Sequence, residues 1–272
     1  MSRPHPARVL IRRTCLVAAL VAAGLSLPAV ASAAPSTAYA NVPAASDAPA
    51  PEATDGDGGV GTLVVNGRPA SENYSFLVYT SGCSASLIKA NWVVTAKHCP
   101  TPSSVRVGSV NRSSGGTVVS VVRAVNHPSI DVKLFQLGTS VSYAPAVIPS
   151  TSGAVGTATR IIGWGQTCPT RGCGSAPTIA NELDTSIVAD SRCSGINGTY
   201  EICTNNTNGN AGACYGDSGG PQVRSVGGRW NLIGATSRAG NNNSTCATGP
   251  SIYGDLPSIR SWINTQVGGL PS

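Results

Sequence analysis

Beyond residue 63 the chain breaks into short apolar runs separated by turn-forming residues: SFLVYT, SASLIK, WVVTA, GTVVSVVRAV, VKLFQL, TRIIGW and NLIGATS. These runs are rich in β-branched residues and too short for helices. They are also too numerous for a parallel sheet in which each strand is followed by a helix. They predict an all-β domain of Greek-key or barrel type. One stretch near the C-terminus has a helical period instead. In DLPSIRSWINTQV, Ile259, Trp262, Ile263 and Val267 fall on one face, with Asp255 or Ser258 as cap and Gly268 as stop. Residues 34–63 are mostly Ala, Pro, Ser, Asp and Gly, which cannot bury a core and predicts a flexible linker.

The first 33 residues read as an export signal. Basic residues lead, LVAALVAAGLSL supplies a short apolar stretch, and ASA at 31–33 fits a small-residue cleavage site. Four arginines and four acidic residues lie before residue 64, so the net charge of +6 belongs to the rest of the chain. That charge is spread thinly, with no Lys or Arg run, and predicts a solvated surface and no nucleic-acid partner. Arginine outnumbers lysine, which points to a GC-rich bacterial source. Of nine cysteines, Cys15 leaves with the signal, and an even count in an exported chain favours disulfides over a metal site.

Three polar residues sit beside strong local signals. His98 ends the apolar run WVVTA, Asp131 stands directly before VKLFQL, and Ser218 lies within ACYGDSGGPQV. A serine at its free pKa is a poor nucleophile. It needs an imidazole to accept its proton, and the imidazole needs a carboxylate to fix its tautomer and stabilise its cation. Other acids and His127 sit among turns, and His127, in NHPS, is expected at the surface.

TAKHC, the aspartate of IDVKL and CYGDSGGP resemble the three signature segments of the chymotrypsin/trypsin-like serine endopeptidases, here of a bacterial secreted type. VVNG at 64–67, GWG at 163–165 and the last helix match in order, so the resemblance spans about residues 64–267. It implies two six-stranded antiparallel Greek-key barrels with a C-terminal helix, over a domain at 64–272 preceded by a signal at 1–33 and a propeptide at 34–63. It also implies a triad of His98, Asp131 and Ser218 in the cleft between the barrels. Gly216 and Ser218 would offer backbone N–H groups to an oxyanion, with Gly216 free to take a conformation that a Cβ disfavours. Gly219 and Gly220 would keep the floor thin beneath a bound peptide.

The same resemblance implies disulfides Cys83–Cys99, Cys193–Cys203 and Cys214–Cys246, which leaves Cys168 with Cys173 as a short extra loop. Gly212, Ala213, Ser237, Arg238, Ala239 and Ser251 would shape substrate binding, and Ser237 would bond to Asp131. Gly212 stands where relatives that cleave after Lys or Arg have aspartate, so small to medium uncharged side chains are expected in the pocket. Cleavage before Val64 would free an amine to pair with Asp217. Lys97 replaces the small residue that often precedes the histidine and is expected to point to solvent; Arg238 stands where an aromatic residue is usual. No cofactor, metal or calcium is expected. The expected partners are protein or peptide substrates and a proteinaceous inhibitor of a secreted, extracellular monomer, with no membrane contact once the signal is gone. Two other readings stay open: a non-catalytic binding protein on the same fold, and a general esterase or amidase.

Overall fold

The computed structural model describes residues 64–271. The signal and propeptide expectations, at 1–33 and 34–63, lie outside the described residues. Within them the chain forms antiparallel strands and a single short α-helix, the expected fold class.

In the first half, β2 (Leu77–Thr80), β3 (Cys83–Lys89), β4 (Trp92–Thr95), β5 (Ser104–Val107), β6 (Thr117–Asn126) and β7 (Lys133–Leu137) form a closed six-stranded barrel in the order β2-β3-β4-β7-β6-β5. β4 pairs with β7, while β5 returns to β2, a Greek-key path. The interior is apolar: Leu77, Val78, Leu87, Val93, Leu134 and Phe135 are all fully buried.

The second half departs from a six-stranded barrel. It is a seven-stranded sheet, ordered β1-β9-β8-β11-β12-β13-β10. The added member is the two-residue strand β1 (Arg68–Pro69), which pairs with β9 (Asn181–Ser186). The remaining strands are β8 (Ala158–Gly163), β10 (Glu201–Thr204), β11 (Pro221–Val226), β12 (Arg229–Ala239) and β13 (Ser251–Asp255). β9 approaches β10 through one isolated bridge, Ile187 to Thr204. The ring is thus nearly closed, with β1 attached outside it.

The helix is shorter than its period suggests. A 3₁₀ turn at Pro257–Ile259 comes first, and α1 runs from Arg260 to Val267. Asp255 accepts the Ser258 N–H at 3.3 Å, so that side chain caps the 3₁₀ turn. Gly268 ends α1 at φ 65°, a left-handed position that glycine takes without strain. Ile259, Ile263 and Val267 join the same apolar cluster as the first-barrel residues. Lys89 Nζ, at the end of β3, donates to the carbonyls of Val267 and Gly268 at 2.7 and 3.1 Å and anchors the helix terminus.

Candidate active site

His98 and Asp131 both leave the ends of first-barrel strands. β4 is wholly buried, and past Ala96 the chain turns so that the Cys99 N–H reaches the Ala96 carbonyl at 3.2 Å. The Cys83–Cys99 disulfide ties that turn to β3, leaving His98 half exposed. Asp131 precedes β7 and is presented by a turn built on His127. His127 Nδ1 accepts the N–H groups of Ser129 and Ile130, each at 3.2 Å. Its ring meets Trp262 of the helix edge-on, with centroids 4.7 Å apart. His127 is therefore buried, against the surface position expected of a turn residue; the helix covers it. Burial, with the Lys97 charge adding to it, keeps its pKa low, which suits an acceptor nitrogen. Lys97 does not point freely to solvent either, since its Nζ donates to the His127 carbonyl at 3.0 Å.

The two arms meet closely. Asp131 Oδ1 accepts the His98 backbone N–H at 2.9 Å, and Oδ2 lies 2.7 Å from His98 Nδ1. Ser237 Oγ, on β12, donates to the same Oδ2 at 2.7 Å. Burial pushes the Asp131 carboxyl up, but the hydrogen bonds from His98 and Ser237 outweigh it and hold it below the usual range. An ionised Asp131 facing Nδ1 favours the tautomer with its proton there, so Nε2 is left as the acceptor.

Ser218 comes from the loop before β11. Gly216 has φ 103°, a conformation that strains any residue with a Cβ, and a Cβ there would also be tight, 3.1 Å from Gly165 Cα and the Trp164 carbonyl. Asp217 is buried, its Oδ1 accepting the Gly165 N–H at 2.8 Å and its Oδ2 the Cys214 N–H at 2.9 Å. The glycines of GWG pack against this carboxylate; a Cβ on Gly163 or Gly165 would overlap it. Burial, only partly offset by those two N–H bonds, pushes the Asp217 pKa up to about 6. Among the described residues no cation pairs with it. Of the loop's other N–H groups, those of Asp217, Gly219 and Gly220 bond to the carbonyls of Cys214, Thr236 and Asp217, whereas no described bond takes up those of Tyr215, Gly216 and Ser218.

Gly219 and Gly220 are buried rather than forming a thin substrate floor. A Cβ on Gly219 would lie 2.6 Å from the Ser84 carbonyl, and one on Gly220 2.8 Å from those of Asp217 and Ile162. They let the serine loop seat against the first barrel, where the Ser84 N–H donates to the Ser218 carbonyl at 2.9 Å.

His98, Gly216 and Ser218 line one cavity of about 530 Å³, together with Ala213, Ser237, Arg238, Ala239 and Ser251. No hydrogen bond among those described joins the Ser218 hydroxyl to the imidazole. Gly212 does not line the cavity; it lies behind, and a Cβ there would sit 3.9 Å from Ser251 Oγ in ordinary contact. Among the described residues none that lines the cavity is Asp or Glu, and Arg171 joins Arg238 on its wall. Cys214–Cys246 links two parts of that wall; the other disulfides are Cys168–Cys173 and Cys193–Cys203. Val64, at the head of the described chain, is fully buried with Ile161, Leu183 and Ile233 of the second sheet. The Gly212 N–H donates to the Val65 carbonyl at 3.2 Å.

Glu201 went unread in the sequence although it is bonded to Arg238, with 2.6 Å between Oε1 and Nη1. The signal was present: like Asp131, it is an acid at the head of a short apolar run, EICT.

Two antiparallel sheets, one of them a closed six-stranded barrel, followed by a single short C-terminal helix define an all-β class of protein. The chain belongs to the trypsin family of serine proteases, whose model, Trypsin, matches residues 64–263. It is 31% identical over 202 residues to Trypsin alpha of Drosophila erecta, covering 66% of this chain and 76% of that one. Trypsin 5G1 of Aedes aegypti is 28% identical over 230 residues, covering 73% and 82%. These relatives are insect proteins, so they lend nothing to the bacterial type inferred from composition. Peptidases of this family act on protein or peptide substrates and are generally secreted, and four disulfides suit that setting.

Proposed function

We propose that the chain is a secreted serine endopeptidase made as an inactive precursor, with Ser218 as nucleophile, His98 as general base and Asp131 as its orienting carboxylate. The observation that carries this reading is the 2.7 Å contact between His98 Nδ1 and Asp131 Oδ2 beside a cavity that Ser218 shares. Ser218 Oγ attacks the peptide carbonyl carbon while its proton passes to His98 Nε2. The carbonyl oxygen becomes an oxyanion, and the free N–H groups of Gly216 and Ser218 receive it. Collapse expels the amine, which takes the proton from His98 and leaves an acyl-serine. Water then repeats the sequence and releases the acid.

Specificity follows from the cavity wall. With arginines and no carboxylate on it, a Lys or Arg side chain would be desolvated unpaired, at a cost of several kcal/mol. Ala239 and Ser251 narrow the space moderately while Ala213 adds little bulk, so small to medium uncharged side chains are favoured. The bacterial origin rests on the excess of arginine over lysine alone.

For activation, the domain at 64–272 is released by cutting Leu63–Val64. Supporting this, Val64 sits at φ 30°, a left-handed conformation that costs a β-branched residue on the order of 1–3 kcal/mol. The cut removes that torsion and creates an α-amine that Asp217 can pair with.

The test is labelling by a fluorophosphonate together with peptide hydrolysis, before and after Ser218→Ala. Both should vanish in the variant, hydrolysis falling by on the order of 10⁶-fold. Wild-type protein that takes no label would leave a binding protein on this fold. Label without peptide cleavage would favour the esterase reading, and preferential cleavage after Lys or Arg in a peptide library would refute the specificity.

A further inference from the structure

The hydrogen-bond chain ending on His98 does not begin at Asp131. Glu201, first residue of β10, has a side chain only 7% exposed, and Arg238 meets it with both ends of its guanidinium. Nη1 donates to Oε1 at 2.6 Å and Nη2 to Oε2 at 2.9 Å, a fork that matches a carboxylate. Nη2 also donates to the Gly195 carbonyl at 2.9 Å, and the Asn197 N–H donates to Oε2 at 2.8 Å. Arg238 Nη1 then reaches Ser237 Oγ at 3.3 Å. A guanidinium has no acceptor, so in that contact the serine oxygen accepts, and its own proton is directed to Asp131 Oδ2 at 2.7 Å. The order is therefore Glu201, Arg238, Ser237, Asp131, His98.

We propose that Arg238, held by Glu201, is a positioning residue: it orients the Ser237 hydroxyl onto Asp131 and, with the positive end of its ion pair turned to that carboxylate, sets how readily His98 takes a proton. This rests on the serine-protease reading of the same site. The attraction of Asp131 adds to the Glu201 bond in holding the Arg238 charge. The other charged or titratable groups around the pair are accounted for. Lys97 Nζ is held by the His127 carbonyl, Lys133 Nζ by the Cys99 carbonyl, and His127 uses its ring nitrogen as an acceptor. Lys133 also attracts Asp131 electrostatically, but it belongs to β7 and does not change with residue 238.

A purely structural role for the pair, tying β12 to β10, would make its two halves equivalent. The electrostatic role makes them opposite. The measurement is the His98 imidazole titration, followed by NMR on the secreted protein carrying Ser218→Ala, so that no turnover is needed. Arg238→Met should raise the midpoint by about half a pH unit, because Glu201 is left uncompensated near Asp131. Glu201→Gln should lower it by a similar amount, and Arg238→Lys, which keeps the charge, should leave it within about 0.2 unit of the parent. Midpoints that move the same way in the first two variants, or do not move, overturn the proposal. If Arg238→Met does not fold, the other two decide alone: a lowered midpoint in Glu201→Gln with none in Arg238→Lys supports the proposal, and any other pair of results overturns it. Failure of the protease reading is seen separately, as an unlabelled Ser218 in the wild-type protein.

Discussion

In the first barrel the fully buried side chains are chiefly Leu, Val, Ile and Phe, and its six strands pair all the way round. In the second sheet Glu182, Glu201 and Asp217 are buried, at 0%, 8% and 3% exposure, and the ring is bridged at only one point between β9 and β10. The two halves thus close by different means. Apolar packing needs no partner of a particular protonation state, so most of the first barrel is held without one; the buried cation Lys133 and the buried imidazole of His127 are the exceptions, and both lie beside Asp131. A buried carboxylate is tolerated only while something satisfies it. Each of the three ties the second half to a distinct partner: Glu182 to β1, Glu201 to the residue beside Ser237, and Asp217, in the serine loop, to the Gly165 N–H. Conditions that change a partner should therefore act on the second sheet first.

The largest effect should come from removing one of those carboxylates. Glu182 Oε2 accepts from Tyr74 Oη at 2.5 Å and from the Ser71 N–H at 3.0 Å, and Arg68 and Arg160 lie 2.8 and 3.2 Å from Oε1. Burial raises its pKa, but these bonds more than reverse the effect and keep it ionised. Glu182→Ala should cost about 3–5 kcal/mol in chemical denaturation, because it strips partners from two arginines and a buried tyrosine. Leu134→Ala in the first barrel should cost about 2–5 kcal/mol by cavity formation. The two should differ in pH response. Glu182 has a folded pKa below its unfolded value, so its contribution is present above about 4.5 and lost as pH falls through the folded pKa. The Leu134→Ala deficit should stay flat across that range. An acid-insensitive Glu182→Ala deficit would erase the contrast between the halves.

Cleavage before Val64 comes next. If both oxyanion donors converge only when Asp217 has a cation to pair with, cutting the chain should raise kcat/KM by on the order of 10²–10³-fold, the worth of one such donor. N-terminal sequencing of the active form should begin at Val64. Full activity in protein that retains residues 34–63 would break this part of the comparison, and so would Asp217→Asn with activity intact.

In the uncut chain Asp217 also predicts a stability slope of the opposite sign to that of Glu182. Its folded pKa, about 6, lies above its ordinary value of 3.8. The protonated form is thus favoured by folding, and stability falls as pH rises from about 4 to about 6. The span of about two units corresponds to about 3 kcal/mol. Denaturation midpoints of precursor and Asp217→Asn precursor, compared across that range, should converge at the acidic end. In the cut protein, where an amine replaces the missing cation, the slope should vanish. Parallel curves for precursor and variant would show that the two backbone N–H bonds already satisfy the carboxylate.

The same contrast decides what could be read from the chain. First-barrel strands such as WVVTA and VKLFQL announce themselves because most of their buried residues are apolar, Thr95 and Lys133 being the exceptions. β9 reads NELDTS, yet Asn181, Glu182 and Leu183 are all buried, and the tyrosine satisfying Glu182 lies 108 residues away. No local pattern can reveal a strand whose inward residues are polar and whose partners are that remote. The site was legible for the opposite reason: His98, Asp131 and Ser218 each sit in a local segment with its own signature. For Glu201 the only local sign is an acid at the head of EICT, and Arg238 has none; their pairing exists only once β12 and β10 are brought together. His127 was misplaced likewise, since NHPS is a turn whether or not a helix covers it.

The smallest effect concerns the disulfides, where the halves again differ. Cys83–Cys99 in the first barrel closes 16 residues of separation around His98, and Cys168–Cys173 in the second half closes only 5. Chain entropy assigns about 3 kcal/mol to the first and about 2 to the second. The smaller value is an upper bound for its site, because the loop from Pro169 to Gly174 is exposed and can open without unfolding the sheet. The loop has other tethers as well. The Cys246 N–H donates to the Pro169 carbonyl at 2.9 Å, and Gln166 Oε1 accepts the Gly172 N–H at 3.1 Å. Replacing Cys168 and Cys173 together by serine should thus cost about 1–2 kcal/mol, a fall of a few degrees in Tm. Arg171, whose guanidinium lies 5.1 Å from the Tyr215 ring centre at the cavity wall, should become more mobile. That should raise KM for long peptides by less than about tenfold and leave kcat unchanged, since the loop touches neither His98 nor Ser218. Calorimetry and peptide kinetics on the double variant check both halves of the claim. A loss of stability as large as that from removing Cys83–Cys99, or a fall in kcat, would mean that the small loop supports the serine segment itself.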